Sequence, residues 1–160
     1  MQRDVYTVVL RAQQAGIDAL KPGIRFQDYQ DACSRSLAGD LIDLGLLDCS
    51  VDEAMEPQAQ YFRRWSISRA GHMLGMDVHD CNYAPAESYL TGTLAEGNVL
   101  TVEPGLYFQK EDLTVPEELR GVGIRIEDDL LVTATGSENL TAALPRDPDG
   151  IEEWMARLVA

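Results

Sequence analysis

The chain has only two histidines, His72 and His79, and both fall in the stretch GHMLGMDVHD at 71–80. A neutral imidazole at such a place can bind a metal, move a proton or donate a hydrogen bond, although two half-buried rings falling close together by chance would read the same way. Carboxylates converging on them would decide. Two glutamates stand out: Glu103 in NVLTVEPG (98–105) and Glu127 in GVGIRIEDDLLVT (121–133), each embedded in apolar sequence. A glutamate there is costly unless it is paired, hydrogen-bonded or bound to metal. For Glu127 an ion pair with Arg125, two positions earlier on the same strand face, explains the residue as well as a metal does. His72, Glu103 and Glu127 together form a candidate metal constellation. One imidazole with several carboxylates suits Mn²⁺, Co²⁺, Fe²⁺ or Zn²⁺, and the weight of hard oxygen donors leans toward Mn²⁺.

Such ligands must be carried by strands. Leu100 and Val102 alternate with Val99, Thr101 and Glu103, the two-residue period of a half-buried strand ending at the Pro104-Gly105 turn. Val122, Ile124 and Ile126 share one face of a second strand while Gly123, Arg125 and Glu127 share the other. We therefore expect all three candidate ligands to be strand-borne. The first third of the chain has helical spacing instead: Val5, Val8, Val9, Ala12, Gly16 and Ala19, stopped by KPG at 21–23. Phe26 precedes a second stripe, Tyr29, Ala32, Cys33, Leu37, Leu41 and Leu44, with Gly45 as a left-handed stop. DCSVDEAMEP at 48–57 reads as a solvated connection, and Asp149 with Glu152 as a capping box ahead of a short helix bearing Trp154 and Leu158.

Composition bounds the partners. With 160 residues, 45% hydrophobic and 25% charged, the chain is one globular domain or part of one. A net charge of −14, from 27 acidic and 13 basic residues, opposes nucleic acid and anionic membrane as partners. No apolar run is long enough to cross a bilayer, and the N-terminus lacks the apolar core of a signal peptide. Cys33, Cys49 and Cys81 are odd in number and in no CxxC pattern, which points to free or buried thiols and a cytoplasmic setting.

GHMLGMDVHD, LTVEPGLY and GIRIEDD, in that order, resemble the pita-bread metallopeptidases, in particular the branch of aminopeptidase P and prolidase that acts at Xaa-Pro bonds. The resemblance runs from the first helix to about Thr133. It implies an α+β fold, a partial pita bread in which a curved antiparallel sheet carries helices on its convex face. It implies that His72 is a metal ligand, Glu103 a ligand that also relays a proton, and Glu127 a carboxylate bridging two metals. His79 would contact substrate and steady the tetrahedral intermediate, and Arg125 would orient the acidic ligands. Methionine aminopeptidase fits less well, because its histidine segment usually reads FHE where this chain has VHD.

Two departures qualify the expectation. The family's two-metal site also uses a pair of aspartates on an upstream hairpin, and neither these nor an N-terminal domain lies within the 160 residues. Relatives often have a further histidine where this chain has Ser68. The chain is expected to be the C-terminal part of a catalytic domain, holding at most one weakly bound metal and inactive alone. The complete enzyme would use two divalent metals to release the N-terminal residue from proline-containing peptides, and would be a homo-oligomer. The alternatives are an Xaa-Pro dipeptidase (prolidase) and a non-catalytic peptide-binding module of the same fold.

Overall fold

A computed structural model describes residues 2–80, 84–85 and 89–159. Cys81 lies outside the described residues; Cys33 is buried and free, Cys49 half-buried and free. Two long helices lead, α1 (Gln2–Ala19) and α2 (Phe26–Asp43). Their apolar stripes form as the spacing predicts, with corrections at the margins: Ala19 and Ala32 are only half-buried, Leu44 is 37% exposed, and Gln13 and Gln30 join the buried faces. Gly45 does stop α2 in the left-handed region, at φ 71°.

The expected connection at 48–57 contains a short helix, α3 (Val51–Met55), because Ser50 and Glu53 close a reciprocal capping box and Ala54 is buried. At the other end the cap of α4 (Pro148–Leu158) is Asp147, which accepts from the Gly150 N–H. Asp149 and Glu152, expected as the capping pair, instead hold Arg3 of α1 at 2.6 and 2.7 Å. No helix is long and apolar enough to cross a membrane among the described residues.

Five strands follow: β1 (Val99–Val102), β2 (Gly105–Tyr107), β3 (Gly123–Arg125), β4 (Asp128–Val132) and β5 (Ser137–Asn139). They form a three-stranded sheet in the order β1-β4-β5 and a two-stranded sheet of β2 and β3, all antiparallel. The two sheets are halves of one bent ribbon. β1 runs into β2 through Glu103 and Pro104, while β3 returns into β4 through Ile126 and Glu127. Pro104 has no N–H to give the ladder, and Ile126 reaches its carbonyl only at 3.5 Å. The continuous strand expected over 121–133 is therefore broken at the bend.

Alternation nevertheless continues through the break: Val122, Ile126, Asp128, Leu130 and Val132 are all buried, and Ile124 is half-buried. Two apolar clusters lie on this inward face. One joins α1 and the end of α2 to Leu106, Phe108, Val122 and Ile126, and the other joins Phe26, Tyr29 and Cys33 to Leu100, Val102, Leu130 and Val132. β1 is buried on both faces rather than half-buried, since Thr101 and Glu103 are 1% and 7% exposed.

Candidate metal centre

Glu103 and Glu127 stand at the bend of the ribbon. Val102 faces Asp128 in the register of β1 and β4, so the next position along brings Glu103 opposite Glu127, on the face turned away from the core. Both sit just outside the regular strands, which corrects the expectation that the ligands are strand-borne.

His72 arrives along the free edge of β1. Residues 70–74 are extended and laid antiparallel to it, with Thr101 N–H donating to the His72 carbonyl at 2.9 Å, Glu103 N–H to Ala70 at 2.7 Å and Leu74 N–H to Val99 at 3.0 Å. Only Met73 and Leu100 form a regular bridge, so His72 also lies outside any named strand. The approach needs glycine at 71: a Cβ there would lie 2.0 Å from the Thr101 carbonyl oxygen. Gln30 of α2, 4% exposed, fixes the same segment by accepting from Ala70 N–H at 2.8 Å and donating to the Gly71 carbonyl at 3.1 Å.

The imidazole is held in one tautomer. His72 Nδ1 lies 2.9 Å from the Met73 carbonyl, which can only accept, so Nδ1 carries a hydrogen and Nε2 is the nitrogen turned toward the glutamates. Nε2 lies 3.2 Å from Glu103 Oε1, which also accepts from the Thr101 hydroxyl at 3.1 Å. An imidazole nitrogen that close to a carboxylate oxygen calls for a proton or a cation between them. Arg125 does not pair with Glu127, the alternative its place on the strand left open. Its Nη1 lies 3.0 Å from Glu103 Oε2, and another guanidinium nitrogen donates to the Ser68 hydroxyl. The position where relatives often carry a further histidine is thus a partner of Arg125.

Glu127 is left differently. Among the described residues it accepts no hydrogen bond, and although its side chain is exposed, crowding of the carboxyl by surrounding atoms, followed by the charges of Glu103 and Asp129, pushes its pKa above the usual carboxylate value. One ligand atom each from His72, Glu103 and Glu127 lies within 4.8 Å of the other two. An ion with nitrogen and oxygen donors at roughly 2.0–2.2 Å separates them by about 3–4 Å, so the three fit one divalent cation with a small inward adjustment. The set of donors suits such an ion: one imidazole, one buried carboxylate and one carboxylate that accepts no hydrogen bond among the described residues. The His79 ring stands edge-on to His72, centroids 4.4 Å apart, and is exposed on the same side.

Residues that sequence reasoning passed over hold the far side of the bend. Asp128, 2% exposed, accepts from the Thr141 hydroxyl at 2.5 Å and lies 3.1 Å from Arg146 Nη1. Gln13, fully buried, donates to the Val102 carbonyl at 3.2 Å and accepts from Arg146 at 3.1 Å. Parity along 122–132 gives away Asp128, and Gln13 and Gln30 fall on the apolar stripes of their helices. Nothing in the sequence marks Arg146.

Comparison with known proteins places this arrangement. The model of metallopeptidase family M24 matches residues 1–134. The chain is 56% identical over 158 residues to Xaa-Pro aminopeptidase 1 of Streptomyces coelicolor, covering 99% of this chain and 32% of that protein. Its structure superposes on aminopeptidase PepP of Pseudomonas aeruginosa with a TM-score of 0.87 at 38% identity, covering 97% of this chain and 34% of the other. It matches Escherichia coli aminopeptidase P with the inhibitor Pro-Leu equally, at 0.87 and 38%, covering 98% and 34%. These structures have the pita-bread fold, and the helices and bent ribbon described above are part of one. The chain spans about a third of the length of the relatives it matches.

Proposed function

We propose a function from one premise, that the chain belongs to metallopeptidase family M24: it carries one side of the catalytic centre of a metal-dependent Xaa-Pro aminopeptidase. The observation that carries this reading is the convergence of His72 Nε2 with carboxylate oxygens of Glu103 and Glu127. In the complete enzyme these three would hold part of a pair of divalent metals, Mn²⁺ by the preponderance of oxygen donors, which supply the Lewis acidity that polarises the scissile carbonyl and activates water.

The chain's own residues do the rest. Glu103, fixed by Thr101 and Arg125, is placed to take a proton and return it to the leaving prolyl nitrogen. His79, exposed beside His72, is free to donate a hydrogen bond to the oxygen that gains charge. Arg125 holds Glu103 in place and neutralises part of its charge. The substrates are peptides with proline second, and the name of the Streptomyces relative favours an aminopeptidase over a prolidase. Retention of His72, Glu103 and Glu127 together argues against a binding module without metal. The free thiols fit a cytoplasmic enzyme.

Mn²⁺-dependent release of the N-terminal residue from an Xaa-Pro peptide by the protein with its upstream part present, lost on Glu103→Ala, is the expected result. Full activity in Glu103→Ala would overturn the reading. The 160-residue polypeptide by itself should retain at most one Mn²⁺ after dialysis and cleave no such peptide. Two equivalents by elemental analysis would show that other ligands exist. We also propose a homo-oligomer. Among the described residues β3 has a strand neighbour on one edge only, and such an edge seeks partners. Light scattering that shows a monomer at every concentration would refute association through it.

A further inference from the structure

The bend holds two glutamates on one face, and the opposite face carries a polar assembly that the proposed function leaves unused. Its members touch the backbone or side chain next door to each glutamate. Gln13 Nε2 donates to the carbonyl of Val102, the residue before Glu103. Asp128 is the residue after Glu127. Val102 and Asp128 are themselves register partners in the ladder of β1 and β4. One side chain joins the two halves: Arg146 Nη1 lies 3.1 Å from Gln13 Oε1 and 3.1 Å from Asp128 Oδ2. Its Nη2 reaches Gln14 of α1 at 3.3 Å, and its carbonyl accepts from the Tyr6 hydroxyl at 2.6 Å, so the arginine is anchored to α1 at both ends.

The chemistry of the pair is demanding. The Asp128 side chain is 2% exposed, and its Oδ2 receives no aligned hydrogen bond even though the guanidinium is in ion-pair range. A buried carboxylate of that kind stays in place only while its cation stays. If Arg146 is lost, Asp128 keeps only the Thr141 hydroxyl as a partner and must draw in water or turn outward. Either of these moves the backbone that carries Glu127, and loss of the Gln13 contact frees the backbone that carries Glu103.

We propose that Arg146 is a positioning residue for this site, clamping Val102 through Gln13 and Asp128 directly so that Glu103 and Glu127 are held at the separation one cation requires. Arg146 lies beyond residue 134, where the family match ends. The inference rests on the metal reading of the site, so its test separates the two.

Co²⁺ titration of the chain, followed by visible absorption, is run on wild type, Glu127→Gln, Arg146→Ala, Arg146→Lys and Arg11→Ala. The last breaks an ion pair from α1 to Asp40 of α2, away from the bend. Amide hydrogen exchange of the metal-free proteins is measured alongside. Arg146→Ala should weaken Co²⁺ binding about tenfold, within the range seen when residues that orient metal ligands are removed. It should also speed exchange at Glu103 and Ile126 while leaving the amides of Gly45 and Leu46 at the end of α2 unchanged. Arg146→Lys should recover most of both effects, and Arg11→Ala should match wild type.

Wild-type Co²⁺ affinity together with wild-type exchange at Glu103 and Ile126 in Arg146→Ala would overturn the proposal. So would uniform acceleration of all slow amides, the mark of a merely structural role. If Glu127→Gln binds Co²⁺ as wild type does, the metal reading falls, and local loosening at the two amides would still uphold the clamp on the carboxylates. If Arg146→Ala fails to fold, Asp128→Asn/Arg146→Met removes the buried carboxylate charge together with its half-buried partner and carries the same comparison.

Discussion

Glu127 and Asp128 are consecutive residues whose side chains leave the ribbon on opposite faces. Asp128 is 2% exposed and meets a hydroxyl at 2.5 Å and a guanidinium at 3.1 Å. Glu127 is exposed, meets no hydrogen-bond donor among the described residues, and shares its surroundings with the like charges of Glu103 and Asp129. A carboxylate whose partners are all protein groups holds the fold together. One that is crowded by other carboxylates and left without a donor is arranged for something that arrives from outside.

Four measurements break or sharpen that contrast. The largest effect is expected from Asp128→Ala, which leaves Arg146 without its buried partner and should cost about 3 kcal/mol of stability in urea melts. A loss below about 1 kcal/mol would mean that Asp128 is no more structural than a surface residue. Gln30→Ala comes next. It orphans the Ala70 N–H and Gly71 carbonyl in a buried place, for a loss of about 2 kcal/mol, and it should also weaken metal binding because the same segment carries His72.

Glu127→Gln is the mirror test. In EDTA it should leave stability within about 0.5 kcal/mol of wild type or raise it, since it removes a charge whose crowding and like-charged neighbours outweigh the attraction of His72 and Arg125. The stabilisation that added Mn²⁺ gives the wild type should vanish in this variant. The smallest effect is one of pH. The guanidinium of Arg64 and the Thr114 hydroxyl hold the Asp112 carboxyl well below the usual carboxylate range. A carboxyl lowered on folding adds stability that is fully present above its unfolded pKa and lost as pH falls toward the folded value. Asp112→Asn should therefore lower stability most at neutral pH and flatten the acid limb of the stability curve below about pH 4, so that its gap from the wild type narrows as pH falls. An unchanged acid limb would remove Asp112 from the set of structural carboxylates.

The same contrast explains what could be read from the sequence. The ligand segments were legible because each polar residue stands in an apolar setting: Glu103 and Glu127 close stretches of two-residue alternation, and the only histidines cluster. The helices were legible from their stripes, and Gly45 from the need for a left-handed stop. The bend was not, because Pro104 and Glu127 lie on separate strands and only pairing shows that the two irregularities coincide. Nor was α3, whose single buried residue, Ala54, leaves almost no periodic signal. Asp128 was visible in principle, for parity places it inward, but a pattern of charges at 127–129 hides which one faces the core. Arg146 was invisible. Its role depends on partners far along the chain, and residue type alone does not distinguish it from any surface arginine.

That distance has a kinetic consequence. The hydrogen bond from Arg146 to Gln13 closes a separation of 133 residues. Loop closure over such a span is slow to find and comes after local helices and hairpins have formed. On a ribosome, α1, α2 and the ribbon can assemble while the residues that lock the bend are still inside the exit tunnel. The chain should therefore pass through a stage in which the glutamates are present but loosely spaced, and metal capture should be among the last events of its maturation. Refolding followed by both tryptophan fluorescence and Co²⁺ absorption should show the second signal lagging the first.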